Sequence, residues 1–184
     1  MKNGFLRGNE MSDNADVSEL LDRARIQEVL AAYATGLDAK DWVLWRSVFT
    51  DEVIFDLSSW NGRPPRPLDT DRVVASQARL WDELIVSQHF MTNFRITVEG
   101  DKARALAHMR AEHWIDVTSP EGGSGRYTMF GYYDDKLLRT PDGWKITEMQ
   151  LNVTRTEGDR WVLEEAANRV RKRKNRVRER EKKK

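Results

Sequence analysis

The apolar positions of the first third of the chain follow a helical period. Ile26, Val29, Leu30, Tyr33 and Leu37 recur at i, i+3, i+4, i+7 and i+11, one stripe along a helix. Asp16 and Glu19 stand before it as a capping box, and Gly36 is placed to end it through a positive φ, so the spacing predicts a helix over 16–35. Leu20, Leu21 and Ala24 fall on another side of the wheel, a surface for a different packing partner such as a second subunit. A second, short helix follows over 39–48, weighted by Trp42 and Trp45. Thr50-Asp51-Glu52 reads as a turn, and residues 53–57 as a strand by their β-branched and aromatic content. Residues 60–67 hold Asn-Gly and three prolines, a loop long enough to act as a lid. Asp69 opens another helix, with Val73, Val74, Leu80, Leu84 and Ile85 as its apolar positions.

From His89 the period changes to two. Residues 89–98 and 102–117 read as strands joined by the hairpin turn Glu99-Gly100-Asp101. In the second of them Ala103, Ala105, Ala107, Met109, Ala111, His113 and Ile115 share one face, and Arg104, His108, Arg110 and Glu112 share the other. A glycine-rich turn over 119–125 leads to strands over 127–139 and 144–156. A last helix starts at Asp159, with Val162, Leu163, Ala166, Ala167 and Val170 on one side. Helices first and then long hairpin-connected strands describe an α+β domain.

Composition changes this picture at the two ends. Residues 1–15 are polar, include Met11, and read as a disordered leader before a single domain over 16–160. Residues 161–184 form a basic helix and tail. From Arg169 onward there are eleven Lys or Arg and two Glu, which leaves 20 basic and 28 acidic residues in the rest, a net −8. No aromatic residue interleaves the basic ones, so nothing there would stack on bases, and nucleic acid is not an expected partner. No apolar run reaches the roughly 20 residues that cross a bilayer. The absence of cysteine excludes disulfides, zinc–thiolate sites and a cysteine nucleophile, and fits a cytoplasmic setting.

The chain has three histidines. His108 sits on a polar strand face and reads as structural. His113 lies on the alanine-rich face, and His89 heads a strand whose facing the sequence leaves open. Asp38 suits the N-cap of the second helix, with Asp41 as box partner, and equally suits an imidazole, because one carboxylate oxygen is free to cap while the other accepts from a ring N–H. Tyr33 reads either as a core residue of the helical stripe or as a hydroxyl donor in a cavity. The glycine-rich turn carries neither P-loop lysine nor dinucleotide-binding spacing, and no metal-ligand spacing such as His-x3-His occurs.

Taken in order, Leu37-Asp38-Ala39-Lys40-Asp41-Trp42, Ile54-Phe55-Asp56, Gln88-His89-Phe90, Arg110-Ala111-Glu112-His113 and Asp142-Gly143-Trp144-Lys145 resemble scytalone dehydratase and its SnoaL-like relatives in the NTF2-like superfamily, over residues 18–160. The resemblance implies a cone-shaped α+β barrel, a strongly curved antiparallel sheet whose N-terminal helices enclose a pocket. It implies that Asp38 orients His89 and that His113 also lines the pocket. The two tyrosines that hold the substrate in scytalone dehydratase correspond to Leu37 and Leu57, and its serine and asparagine on a later strand to Tyr132 and Asp134, so a different substrate is expected. Tyr33 precedes Asp38 by the spacing of the bile-acid dehydratase branch and is a candidate donor to a substrate carbonyl. Arg110 joins these residues as a substrate contact, and Trp60 stands at the mouth. The implied activity is that of a cofactor-independent dehydratase-like lyase acting on a hydrophobic cyclic or polyketide-like molecule. An isomerase or cyclase using the same dyad and a non-catalytic binding module are the alternatives. The resemblance also implies a homodimer or homotrimer.

Overall fold

The computed structural model describes residues 6–116 and 123–181. The first five residues of the expected leader, Val117 of the expected strand, residues 119–122 of the glycine-rich turn and the last three residues of the tail lie outside the described residues. Among the described residues the elements are α1 (Leu6–Ala39), α2 (Trp42–Ser47), β1 (Phe49–Asp56), α3 (Ser58–Asn61), β2 (Pro67–Asp69), α4 (Thr70–Trp81), β3 (Val86–Glu99), β4 (Lys102–Trp114), β5 (Arg126–Thr140), β6 (Gly143–Gly158) and α5 (Trp161–Glu181). No described helix is long and apolar enough to cross a membrane.

The strands form one sheet in the order β2-β1-β6-β5-β4-β3. Every neighbouring pair is antiparallel except β1 with β6, which run parallel. The sheet is strongly curved, and its register shifts at Thr92/Arg95, Phe130/Gly131 and Lys136/Leu137, where bulges increase the bend. At Gly131 a Cβ would meet the Asn152 carbonyl oxygen at 1.9 Å, so only glycine lets β5 and β6 approach at that bend. The small residues expected on one face of β4 are all buried, Ala105, Ala107 and Ala111 completely, and they leave room for the helices.

Helix α1 buries Asp22, Ile26, Leu30, Tyr33 and Leu37, while Val17, Leu20 and Leu21 are exposed in the single chain. Three local expectations differ from the observed structure. The helix runs unbroken from Leu6, through residues read as leader, so Asp16 lies within it and caps nothing. Gly36 does not end it. A Cβ there would sit 2.9 Å from the backbone of Trp45, so this glycine serves the close approach of α1 and α2. The helix ends instead at Lys40, which takes the left-handed conformation (φ 55°) and anchors its Nζ on the Leu84 carbonyl at 2.9 Å. Asp41 then caps α2, accepting from the Leu44 N–H at 2.9 Å, and Asp38 is left free of that task.

The expected turn at residues 50–52 is the irregular first part of β1, and Leu84 and Ile85 lie past the end of α4. The proline-rich segment contains the short helix α3 and the short edge strand β2, where the missing N–H of Pro67 is tolerated. Asp69 caps α4 as expected, with Arg72 N–H at 2.9 Å. Val162, Leu163 and Ala166 of α5 are buried.

Candidate active site

Because α1 continues past Gly36, Asp38 falls in its last turn, where the helix crosses the start of β3. Its carboxylate gathers three partners. Oδ1 faces His89 Nδ1 at 2.6 Å and accepts from Ser87 Oγ at 3.0 Å, and Oδ2 accepts from the His89 backbone N–H at 2.6 Å. Ser87 in turn accepts from Trp81 Nε1 at 3.1 Å. Ser87 and His89 lie two residues apart on one face of β3, so both reach the same carboxylate. An imidazole that donates Nδ1–H to a carboxylate keeps a lone pair on Nε2, the nitrogen left for the cavity.

Beyond the imidazole lies a mainly apolar cavity of about 90 Å³. His113 lines it, 1% exposed, with its ring edge-on to His89 at 5.7 Å and to Trp81 at 5.8 Å. Burial, and then the proximity of His89, push the His113 pKa down to about 3, so this ring is neutral at physiological pH. Among the described residues its Nδ1 has no hydrogen-bond partner. Tyr33 and Tyr133 also line the cavity and meet with ring centroids 5.5 Å apart. Burial raises both phenols well above their ordinary value, so they stay protonated and act as donors. Behind them Asp135 is 2% exposed, and one of its carboxylate oxygens has no partner among the described residues. Burial raises its pKa as well, which favours the neutral acid.

The SnoaL-like domain family model matches residues 18–150. The chain belongs to this family. A solved structure similar to this chain is the Kfla4162 protein of Kribbella flavida, 31% identical, with a TM-score of 0.72 over 76% of this chain and 95% of that one. The Terrestric acid biosynthesis cluster protein E of Penicillium crustosum is 27% identical over 147 residues, 78% of this chain and 90% of its own length. The hexachlorocyclohexane dehydrochlorinase LinA-type3 of Novosphingobium barchaimii LL02 shares the fold, with a TM-score of 0.63 at 16% identity over 79% of this chain and 94% of that one. The fold is the NTF2-like one.

Within this SnoaL-like domain the structure brings most of the singled-out residues together. Tyr33, Leu37, Leu57, Trp60, His89 and His113 all line the cavity, with Asp38 directly behind His89. Three others point away. Arg110 is on the outer face of β4, where it pairs with Glu112 and lies over the Phe130 ring at 5.8 Å. Tyr132 is half-buried, and Asp134 is held by Arg104 through bonds of 2.6 and 2.5 Å. The cause is strand phase. Met129, Tyr133, Asp135 and Leu137 are among the inward residues of β5, so a slip of one position exchanges Tyr132 and Asp134 for Tyr133 and Asp135. The sequence does not select this phase, because the outward positions hold Phe130, Tyr132 and Leu138, as apolar as the inward Met129, Tyr133 and Leu137. Ser87 and Trp81 were also missed. Ser87 was accessible from its two-residue spacing to His89, whereas Trp81 required the fold.

Proposed function

We propose that this chain is a cofactor-independent lyase that removes a proton α to a carbonyl and expels a β-leaving group, most simply hydroxide, from a small molecule with an apolar reacting part. The observation that carries the reading is the 2.6 Å contact between Asp38 and His89 Nδ1, at the wall of an apolar cavity. His89 Nε2 takes the α-proton. The carboxylate holds the reactive tautomer and stabilises the imidazolium that forms, the division of labour of hydrolase triads. Tyr33 or Tyr133 donates to the carbonyl oxygen as it gains enolate charge, a role that suits phenols kept neutral by burial. The imidazolium then returns its proton to the departing hydroxide, so water leaves and the base is restored. His113, neutral and buried, shapes the cavity wall and shares no proton at physiological pH.

The family membership supports this reading, and so does the name of the Penicillium crustosum relative, which belongs to a biosynthetic cluster. The dehydrochlorinase with the same fold is named for an elimination, a reaction of the same bond-breaking class. An isomerase or cyclase would begin with the same proton removal, and the products separate the two. The test is incubation of cyclic β-hydroxy ketones in D2O, followed by proton NMR. Loss of the α-proton signal with growth of the enone is expected from the wild type and not from His89→Gln. Equal rates in the two proteins would remove the dyad from the reaction.

A further inference from the structure

Next to the catalytic cavity lies a wider cleft of about 640 Å³, formed by the end of β1, α3, the proline-rich segment, β2 and α4. Phe55, Leu57 and Gln77 line both spaces. The Gln77 Oε1 at this junction is buried and has no hydrogen-bond partner among the described residues. The outer cleft differs from the inner one in charge. Arg63, Arg66 and Arg72 line it, against a single acid, Asp69, whose Oδ1 is already engaged as the cap of α4. Asp71, beside Arg72, is turned to Arg46 at 2.5 Å. Among the described residues none of the three cleft arginines has a carboxylate within 4.0 Å, whereas Arg23, Arg46, Arg104, Arg139 and Arg169 are each paired. Three exposed guanidinium groups on one cleft, set in a body of net −8, make a local positive patch that attracts an anion to this place. The backbone is also stiffened there. Arg63 and Arg66 each precede a proline, which restricts them to extended conformations and limits the freedom lost when a ligand binds.

The sizes of the two spaces divide the ligand. The inner cavity holds only a short apolar unit, and the bulk of a larger molecule must lie outside. We infer that the substrate carries an anionic group, a carboxylate or a phosphate, held by Arg63, Arg66 and Arg72 in the outer cleft while its reacting carbons occupy the inner cavity. This inference rests on the eliminase reading of the inner site. The guanidinium fork matches either anion through two parallel N–H donors, and binding energy gained away from the reacting carbons is available to orient them.

The experiment is isothermal titration of the full chain with 4-phenylbutyrate, 3-phenylpropylphosphonate and the neutral 4-phenylbutanamide. The anions are expected to bind about tenfold or more tightly than the amide at low salt, with the gap narrowing as salt rises. In the triple variant Arg63→Gln, Arg66→Gln, Arg72→Gln the gap is expected to close. These side chains are exposed, so thermal midpoints of variant and wild type should agree. A tighter phosphonate assigns the group to a phosphorylated carrier and a tighter carboxylate to a free acid, and either supports the inference. An amide that binds as well as the anions, a preference that survives the triple variant, or no binding of either anion would overturn it. In His89→Gln the anion preference should persist. Lost turnover therefore bears on the dyad, and lost preference on the cleft alone.

Discussion

Two aspartates of α1 have opposite fates. Asp22 and Asp38 lie roughly 24 Å apart along the helix at 1.5 Å per residue, and each carboxylate gathers three hydrogen bonds. Asp22 takes two from the Arg139 guanidinium, at 2.8 and 2.7 Å, and one from Trp144 Nε1 at 3.2 Å. Arg139 lies over the Trp144 ring at 4.4 Å, so the cluster fastens α1 to the β5–β6 hairpin. Arg139 holds the Asp22 carboxyl down at about 2. Asp38 takes its bonds from a hydroxyl, a backbone amide and an imidazole. A carboxylate matched by a permanent cation has little left with which to respond when a neighbour gains a proton. Asp38 has no fixed cation among these partners, so its charge is answered fully only when His89 is protonated. The same number of bonds thus gives a clamp at one end of the helix and, at the other, a carboxylate–imidazole contact that is the proposed dyad.

The sharpest way to break this comparison is to neutralise each aspartate. With a substrate in hand, His89→Gln is expected to abolish turnover, and Asp38→Asn to lower kcat by roughly 10²–10⁴, with thermal midpoints close to wild type. Full turnover by either variant would sink the dyad. Unfolding of Asp38→Asn without a rate effect would make this carboxylate a second clamp.

Asp22→Asn should do the reverse, lowering stability by about 2–3 kcal/mol in urea denaturation at pH 7 while kcat of the folded protein stays unchanged. Because folding depresses the Asp22 pKa from the ordinary 3.8 to about 2, its contribution is fully present above pH 4 and fades as pH falls toward 2. The gap between wild type and Asp22→Asn should therefore close over that interval. A gap independent of pH would assign the loss to shape and not to charge.

The sequence made the helical stripe from Ile26 to Leu37 legible, and likewise the alternation of β4 and the pairing of Asp38 with His89, because each rests on spacing or on an ordered set of motifs. What stayed hidden depended on partners distant in the chain. Gly36 has the look of a helix stop until Trp45 is brought against it. Asp38 and Asp41 compete for one cap, and only the positive φ of Lys40 decides it. The inward phase of β5 was missed by one residue, with a bulge at Phe130/Gly131 in the same strand. The parallel pairing of β1 with β6 joins segments that no hairpin connects.

Asp135 sharpens the comparison as a buried aspartate with neither clamp nor base. Its raised pKa means that folding favours the protonated form, so its cost to stability is absent below pH 4 and grows as pH rises. Asp135→Asn is expected to stabilise the fold at pH 8 by on the order of 1 kcal/mol or more, and to be neutral near pH 4. Thermal melts at the two pH values read this directly, and destabilisation at pH 8 would show that the carboxylate is bound in its charged form. The smallest effect is expected at the C-terminus. Beyond the pair formed by Arg173 with Glu83 at 2.9 Å, the described residues Lys174, Asn175 and Arg176 of α5 are exposed. Truncation after Arg173 should change stability by less than about 0.5 kcal/mol in the same melts.

Helix α1 ends at Ala39, one residue beyond Asp38, so its C-terminal end lies beside the carboxylate that meets His89. A helix C-terminus acts like a fraction of a negative charge and favours a nearby cation by about 0.3–1 kcal/mol, up to ~2 when partly buried. This field belongs to the main chain, and no side-chain replacement removes it. Asp38→Asn would therefore keep part of the electrostatic support for the imidazolium, while His89→Gln keeps the field and has nothing for it to act on. In the proposed mechanism, the ending of α1 at this point, set by the left-handed Lys40, adds the backbone as a permanent partner of the Asp38–His89 contact.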